Sequence, residues 1–187
     1  MRKSREEAAQ TRKRIVTAAS GEFRKNGIVA TGLNDLMSAA GLTHGGFYKH
    51  FESKDQLVAE ACAEAVKTIL ERLAVAASKK GGVAAAYLST GHRDNPAAGC
   101  PLSAIGSELA RSDEKTRAAA TTGFLKLVEI MAGQFGKIPP AAARRRALVA
   151  VSTMIGALTM SRIVTDPELS AEILKEAEMN LAVDNPG

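Results

Sequence analysis

The chain has 187 residues, 45% of them hydrophobic and 24% charged, with two Cys, no Trp and a formal net charge of +5. Two cysteines are too few for a disulfide framework in a chain of this length, and neither has metal-ligand spacing. No run approaches the roughly 20 apolar residues that span a bilayer, and no apolar signal-peptide core stands at the N-terminus, so a cytoplasmic protein with no membrane partner is expected.

The chain opens with a helix over residues 4–26. Ile15, Ala18, Ala19 and Phe23 form its apolar stripe, and Arg12, Lys13 and Arg14 lie on or beside its wet face. Gly27 ends it, and Ile28, Val29 and Ala30 are expected to pack inward. The basic excess is concentrated early. Residues 1–51 hold Arg2, Lys3, Arg5, Arg12, Lys13, Arg14, Arg24, Lys25 and Lys49 against Glu6, Glu7, Glu22 and Asp35, and the remainder is neutral in sum. A localised positive charge points to an anionic partner.

Residues 33–51 follow as helix, turn and short helix. Leu33, Leu36, Met37 and Ala40 repeat at helical spacing. Thr31 stands ahead of them as an N-cap candidate. Gly41 suits the left-handed end of a helix, and Leu42 reads as the buried plug of the turn. Thr43 offers a second N-cap, and Phe47 and Phe51 anchor the second helix. Its other face carries Thr43, His44, Gly45, Gly46, Tyr48, Lys49 and His50, all polar, cationic or small. A helix-turn-helix presents such a face to the major groove. Two short helices around a glycine also occur in proteins that never touch DNA, so the stretch alone leaves that function open.

Ser53 then caps a helix of more than twenty residues reaching about Ala77, with Gln56 at the capping-box position. A short helix over 83–90 is expected, then a loop over 91–99, where Gly, Asn and Pro cluster. Pro101 opens a helix ending near Arg111. Ser112 or Asp113 caps another running to about Phe135. The next spans about 141–164, with no charged residue between Ala147 and Met160. Such an apolar helix is buried in the core or against another chain. Residues 167–182 form the last helix, and the tail after Val183 is expected to be disordered. The fold class is all-α, about nine helices with no strands. Residues 1–52 form a three-helix helix-turn-helix unit, and residues 53–187 a second, helical domain.

The run GLTHGGFYKHFESKDQL, from Gly41 to Leu57, closely resembles the TetR/AcrR family of bacterial transcriptional regulators. Gly41, Thr43, Gly45, the Phe47-Tyr48 pair, His50-Phe51, Ser53-Lys54-Asp55 and Leu57 fill the family's places. The resemblance covers residues 10–60 in detail and the rest in architecture. It implies a homodimeric repressor of double-stranded DNA, each subunit placing residues 43–50 in one half of a near-palindromic operator, released by a small-molecule or reactive-species signal. Thr43, His44 and Gly46 are then placed for bases. Tyr48, His50 and Lys54 are placed for phosphates, with the helix start at Thr31 as another phosphate site. Gly46 departs from the family's commoner Ser, Thr or Ala. Two adjacent glycines imply close backbone approach to DNA or a helix ordered on binding.

The resemblance also implies an effector cavity and a dimer bundle in the C-terminal helices. Tyr87, Phe124, Met131 and Met154 are candidate lining residues for an unknown effector. Val151, Ile155, Leu158, Leu169 and Ile173 are candidates for the dimer interface, although a plain intramolecular core would read the same. The segment Gly99-Cys100-Pro101-Leu102, with Gly106-Ser107-Glu108-Leu109, is similar to a subset of the family with a Gly-Cys at this place, in some members of which the cysteine senses electrophiles or oxidants. A helix N-terminus favours thiolate, and His92 and Arg93 are close enough in sequence to assist. A small buried hydrophobe is the competing reading of Cys100. Cys62 reads as packing. The chain shows no nucleophile elbow, phosphate loop, zinc spacing or catalytic carboxylate pair, so no enzyme, cofactor or metal is expected. The alternative function is a protein-interaction module with a vestigial helix-turn-helix.

Overall fold

Helix α1 (Arg5–Asn26) buries Ile15, Ala19 and Phe23 along one stripe. It ends where Gly27 adopts φ +87° and its N–H bonds the Phe23 carbonyl at 2.8 Å, a left-handed cap. The computed structural model describes residues 5–79, 81–136 and 138–183. The expectations for Arg2, Lys3, the start at residue 4 and the tail after 183 lie outside the described residues.

Helix α2 (Leu33–Ala39) starts differently from expectation. Its cap residue is Gly32, whose N–H is accepted by the Asp35 carboxylate at 3.0 Å. Thr31 is buried, and its hydroxyl donates back to the Gly27 carbonyl. A hydroxyl turned toward the preceding turn cannot cap the following helix. Val29 and Ala30 also depart from the sequence reading, since both are exposed, Val29 by 85%. Helix α2 ends in a Schellman motif. Leu42 N–H bonds the Met37 carbonyl and Gly41 N–H the Ser38 carbonyl, each at 2.8 Å, with Gly41 at φ +66°. This closure requires a left-handed residue, and glycine supplies it without a Cβ penalty. Leu42 is half-buried rather than a fully buried plug.

Next comes a 3-10 helix (His44–Lys49), then α3 (Lys54–Ala76). Ser53 caps α3 by accepting the Gln56 N–H at 3.1 Å, while the Gln56 amide oxygen reaches back to the Glu52 N–H at 2.8 Å. The expected reciprocal cap therefore forms, displaced by one residue on its return bond.

The segment expected as loop over 91–99 is largely helical. Helix α4 (Gly82–Tyr87) is followed by α5 (Thr90–Asp94) and a 3-10 turn (Pro96–Ala98). Ser89 and Asn95 cap these pieces through their side chains, so the polar and proline residues separate short helices instead of marking coil. The single helix expected to follow is broken into α6 (Pro101–Ala104) and α7 (Gly106–Leu109). Ile105 leaves helical geometry between them at φ −132°, ψ 24° and buries its side chain. Asp113 caps α8 (Glu114–Ala132) by accepting the Thr116 N–H at 2.9 Å, and a 3-10 turn (Gly133–Phe135) ends at Gly136. Helices α9 (Pro140–Ile163) and α10 (Pro167–Val183) complete the chain. The described residues thus hold ten α-helices and three 3-10 segments, with no strand.

Two apolar cores share α3. One gathers Leu73, Tyr87, Leu127, Val151, Met154 and Leu158 from α3, α4, α8 and α9, together with Leu174 of α10. The other joins Ile15, Phe23, Leu36, Phe47 and Leu57 with Ile105, Leu109 and Ala120. Leu70 and Leu102 pack against both. Among the described residues, α9 alone is long and apolar enough to cross a bilayer by length and composition. In this fold it buries Ala147, Ala150, Val151, Met154 and Leu158 against its neighbours.

Candidate nucleic-acid interface

The 3-10 helix at 44–49 is held from below by Phe47. This ring is fully buried, stacks on Phe51 with centroids 5.6 Å apart, and meets Tyr48 edge-on at 5.1 Å. Burying such a side chain contributes about 2–3 kcal/mol. The helix is short and tight because Gly45 and Gly46 lower helical propensity at its centre. Gly46 N–H bonds the Thr43 carbonyl and His50 N–H the Phe47 carbonyl, both i to i+3 contacts. Thr43 occupies the cap position in extended geometry but makes no side-chain capping bond. Thr43, His44, Gly45, Tyr48 and Lys49 are exposed, Tyr48 by 69%, while Gly46 and His50 are half-buried.

Several cations expected on the wet face or toward DNA make structural bonds within the subunit. Arg12 chelates the Glu60 carboxylate with two guanidinium nitrogens, donates through Nε to the His50 carbonyl at 3.2 Å and lies 4.5 Å over the Phe51 ring. The Glu60 hydrogen bond, with its charge, raises the Arg12 pKa. Arg14 donates to the Ala40 carbonyl at 2.8 Å and thereby tops the Schellman turn. These arginines join α1 to both halves of the helix-turn-helix. Arg24 is buried and donates to the Gly99 carbonyl at 2.6 Å, and burial lowers its pKa. Lys54 directs its ammonium to the Ile28 carbonyl at 2.6 Å instead of outward. Thr31, being buried, contributes no side chain to a phosphate site. Arg5, Lys13, Lys25 and Lys49 remain exposed. Nothing in local periodicity distinguishes the hydrogen-bonded arginines from the exposed lysines. Their partners lie 26 to 75 residues away.

Comparison with known proteins agrees with this geometry. A family model described as bacterial regulatory proteins of the tetR family matches residues 15–61, and one described as the C-terminal domain of LmrA/YxaF-like transcriptional regulators matches residues 59–173. The chain belongs to the TetR family of transcriptional regulators. It is similar to the HTH-type regulator TtgR of Pseudomonas putida, with 43% identity over 58 residues, but that match spans only 31% of this chain and 28% of TtgR. It is 28% identical over 170 residues to the HTH-type regulator Rv0196 of Mycobacterium tuberculosis, covering 83% of this chain and 86% of that one. A TetR regulator from Chloroflexus aurantiacus superposes with a TM-score of 0.76 at 26% identity over 95% of both chains. The reduced form of Escherichia coli NemR, at 20% identity and a TM-score of 0.73 over 92% of this chain and 95% of that one, shares the fold.

In the C-terminal half of this TetR-family regulator, the four candidate effector residues do not converge. Tyr87 and Met154 are fully buried core side chains. Met131 lines a cavity of about 530 Å³ with Val83, Gln134, Glu178 and Leu181. Phe124 lines a separate open groove of about 310 Å³ with Leu102, Leu109 and Ile155. Among the dimer candidates, Val151 and Leu158 are fully buried within the subunit, a correction that follows from their place in the core shared by α3, α4, α8, α9 and α10. Ile155 and Ile173 are half-buried and Leu169 is exposed. The sequence reading missed the outward stripe of α9. Val149, Gly156, Met160 and Ile163 recur at helical spacing and are exposed, Val149 by 67% and Ile163 by 62%.

Cys100 also departs from expectation. It stands at the start of α6 but is fully buried, and burial pushes its thiol pKa up despite opposing backbone hydrogen bonds from Leu102 and Ser103. His92 does not assist as a cation. Its Nε2 accepts the Cys100 N–H at 2.8 Å and its Nδ1 lies 2.7 Å from the Tyr87 carbonyl. Arg93 turns away to Asp94 and Ser170. Desolvation in this protein thus outweighs the helix-terminus effect on which the thiolate expectation rested. Cys62 is buried, its thiol pushed up to about 11 by the same cause.

Proposed function

We propose that this regulator is a homodimeric repressor that reads one half of a near-palindromic operator with each copy of residues 43–50. The observation that carries this reading is the exposed face of Thr43, His44, Tyr48 and Lys49, backed by the buried Phe47 and Phe51. Thr43 and His44 supply hydrogen-bonding groups for base edges in the major groove, and Tyr48, Lys49 and His50 supply phosphate contacts. Lys54 and Thr31 support the reading unit from within. The E. coli relative named as a probable acrEF/envCD operon repressor, 39% identical over 59 residues, supports repression as the direction of control.

The outward apolar stripe of α9, with Leu169 of α10, supports the subunit contact, since large apolar side chains left exposed along one helix face suit an interface. The 530 Å³ cavity supports effector binding by its size and mixed lining of Met131, Val83, Gln134 and Glu178. An effector releases DNA only if it binds the DNA-incompetent state better.

The test is selection of duplexes from a random pool by the wild-type protein, followed by affinities over a salt series. A steep loss of affinity with rising salt is expected. His44→Ala should flatten base preference at one position. Lys49→Ala should weaken all duplexes alike and reduce the salt slope by about one. Failure to enrich any duplex would favour the protein-interaction module instead.

A further inference from the structure

The turn between α1 and α2 sets where the reading unit begins, and its own side chains hold it only in part, through the Thr31 hydroxyl on the Gly27 carbonyl. Ile28 is half-buried, and Val29 and Ala30 face solvent. Its polar atoms are held instead. The Glu108 carboxylate of α7 accepts the Ile28 N–H at 3.0 Å and the Val29 N–H at 2.9 Å, reaching across 80 and 79 residues of sequence. Two successive backbone N–H groups around one carboxylate form an anion-holding concavity, and such charge-assisted bonds are roughly twice as strong as neutral ones. The Lys54 ammonium takes the carbonyl of the same Ile28 from the α3 side at 2.6 Å. Gly27 admits the carboxylate, because a Cβ there would stand 3.1 Å from Glu108 Oε2 on a backbone already at φ +87°.

We propose that Glu108 is a positioning residue for DNA binding, supplied by the C-terminal half. It fixes the α1–α2 turn, and through it the start of α2 and the 3-10 helix, to α7. The inference rests on the DNA-binding reading above. Its mechanical basis is that α7 is a single turn joined to α6 at the non-helical Ile105. Ile105 and Leu109 flank Glu108 in sequence and are buried in the core of the N-terminal helices. A displacement of α6 and α7 therefore carries Glu108 with it and moves or releases the turn. Apolar packing of Ile105 and Leu109 tolerates small sliding, whereas two hydrogen bonds near 3 Å do not.

The experiment compares wild type, Glu108→Ala and Glu108→Gln in the full-length protein, using a duplex that the wild type enriches from a random pool. Melting temperature and residue-resolved amide exchange are measured alongside affinity. Glu108→Ala should leave exchange of the Phe47 and Leu57 region unchanged, speed exchange at Ile28 and Val29 at least tenfold, and weaken duplex binding at least tenfold. Glu108→Gln keeps one acceptor oxygen and should fall between the two. Duplex affinity within twofold of wild type, with the turn amides deprotected, overturns the proposal. If Glu108→Ala does not fold, wild-type affinity in Glu108→Gln overturns it equally. Absence of any enriched duplex with wild-type protein overturns both this inference and the DNA-binding reading, and needs no variant to detect.

Discussion

His92 illustrates how little a residue's type says before its surroundings are known. In sequence it stands beside Cys100 as a cationic helper. In the fold its ring is buried edge-on against Tyr87, accepts the Cys100 N–H, and so carries its proton on Nδ1 toward the Tyr87 carbonyl. Burial lowers its pKa to about 4. The unfolded value is about 6.5, so between pH 6.5 and 4 the unfolded chain binds more protons. Stability is then full above pH 6.5 and falls as pH drops toward 4, by roughly 3 kcal/mol over that window. Urea unfolding of wild type and His92→Gln at pH 7, 5.5 and 4.5 checks this. Parallel declines in the two proteins would assign the pH dependence elsewhere. Arg24 teaches the same lesson, because a residue counted toward a DNA-facing excess is a buried donor to the Gly99 carbonyl.

The elements were largely legible, and the reason is range. Caps, periodic stripes and glycine stops act within four residues, so α1, α3, α8, α9 and α10 could be placed from Gly27, Ser53, Asp113, Pro140 and Asp166. The short pieces over 90–109 were misread because each is a single turn stabilised by its neighbours rather than by its own period. The 3-10 recognition element belongs between these cases. Its position was clear from Phe47 and Phe51, and its tightness only from the structure. Gly45 has no positive φ, and a Cβ there would meet no atom within 4 Å. Gly45→Ala should therefore stabilise the free protein by about 0.5–1 kcal/mol through the unfolded chain, read as a higher urea midpoint at unchanged slope. If DNA approaches this backbone closely, the same variant loses duplex affinity while gaining stability. A gain in both would show that the glycine serves flexibility alone.

At the scale of the molecule, the two cores meet along α3, and contacts such as Arg12 with Glu60, Arg24 with Gly99 and Glu108 with the α1–α2 turn join the chain's two halves. The outward stripe of α9 belongs to this scale too. Met160→Glu should convert the proposed dimer to monomer with helix content retained, as measured by light scattering and circular dichroism. Leu158→Glu, two residues earlier but fully buried, should instead unfold the subunit. A dimer that survives Met160→Glu would place the subunit contact elsewhere. The sequence by itself determined the helical class, the family resemblance in residues 41–57 and the polar face of residues 43–50, because these are written in neighbouring residues and their spacing. Only the tertiary structure decided which cations face solvent, which apolar side of α9 is outward and what holds the α1–α2 turn. Those outcomes depend on partners brought close from far along the chain, apolar side chains for α9 and backbone carbonyls or carboxylates 26 to 80 residues away for the cations and the turn, and no local pattern encodes such a partner.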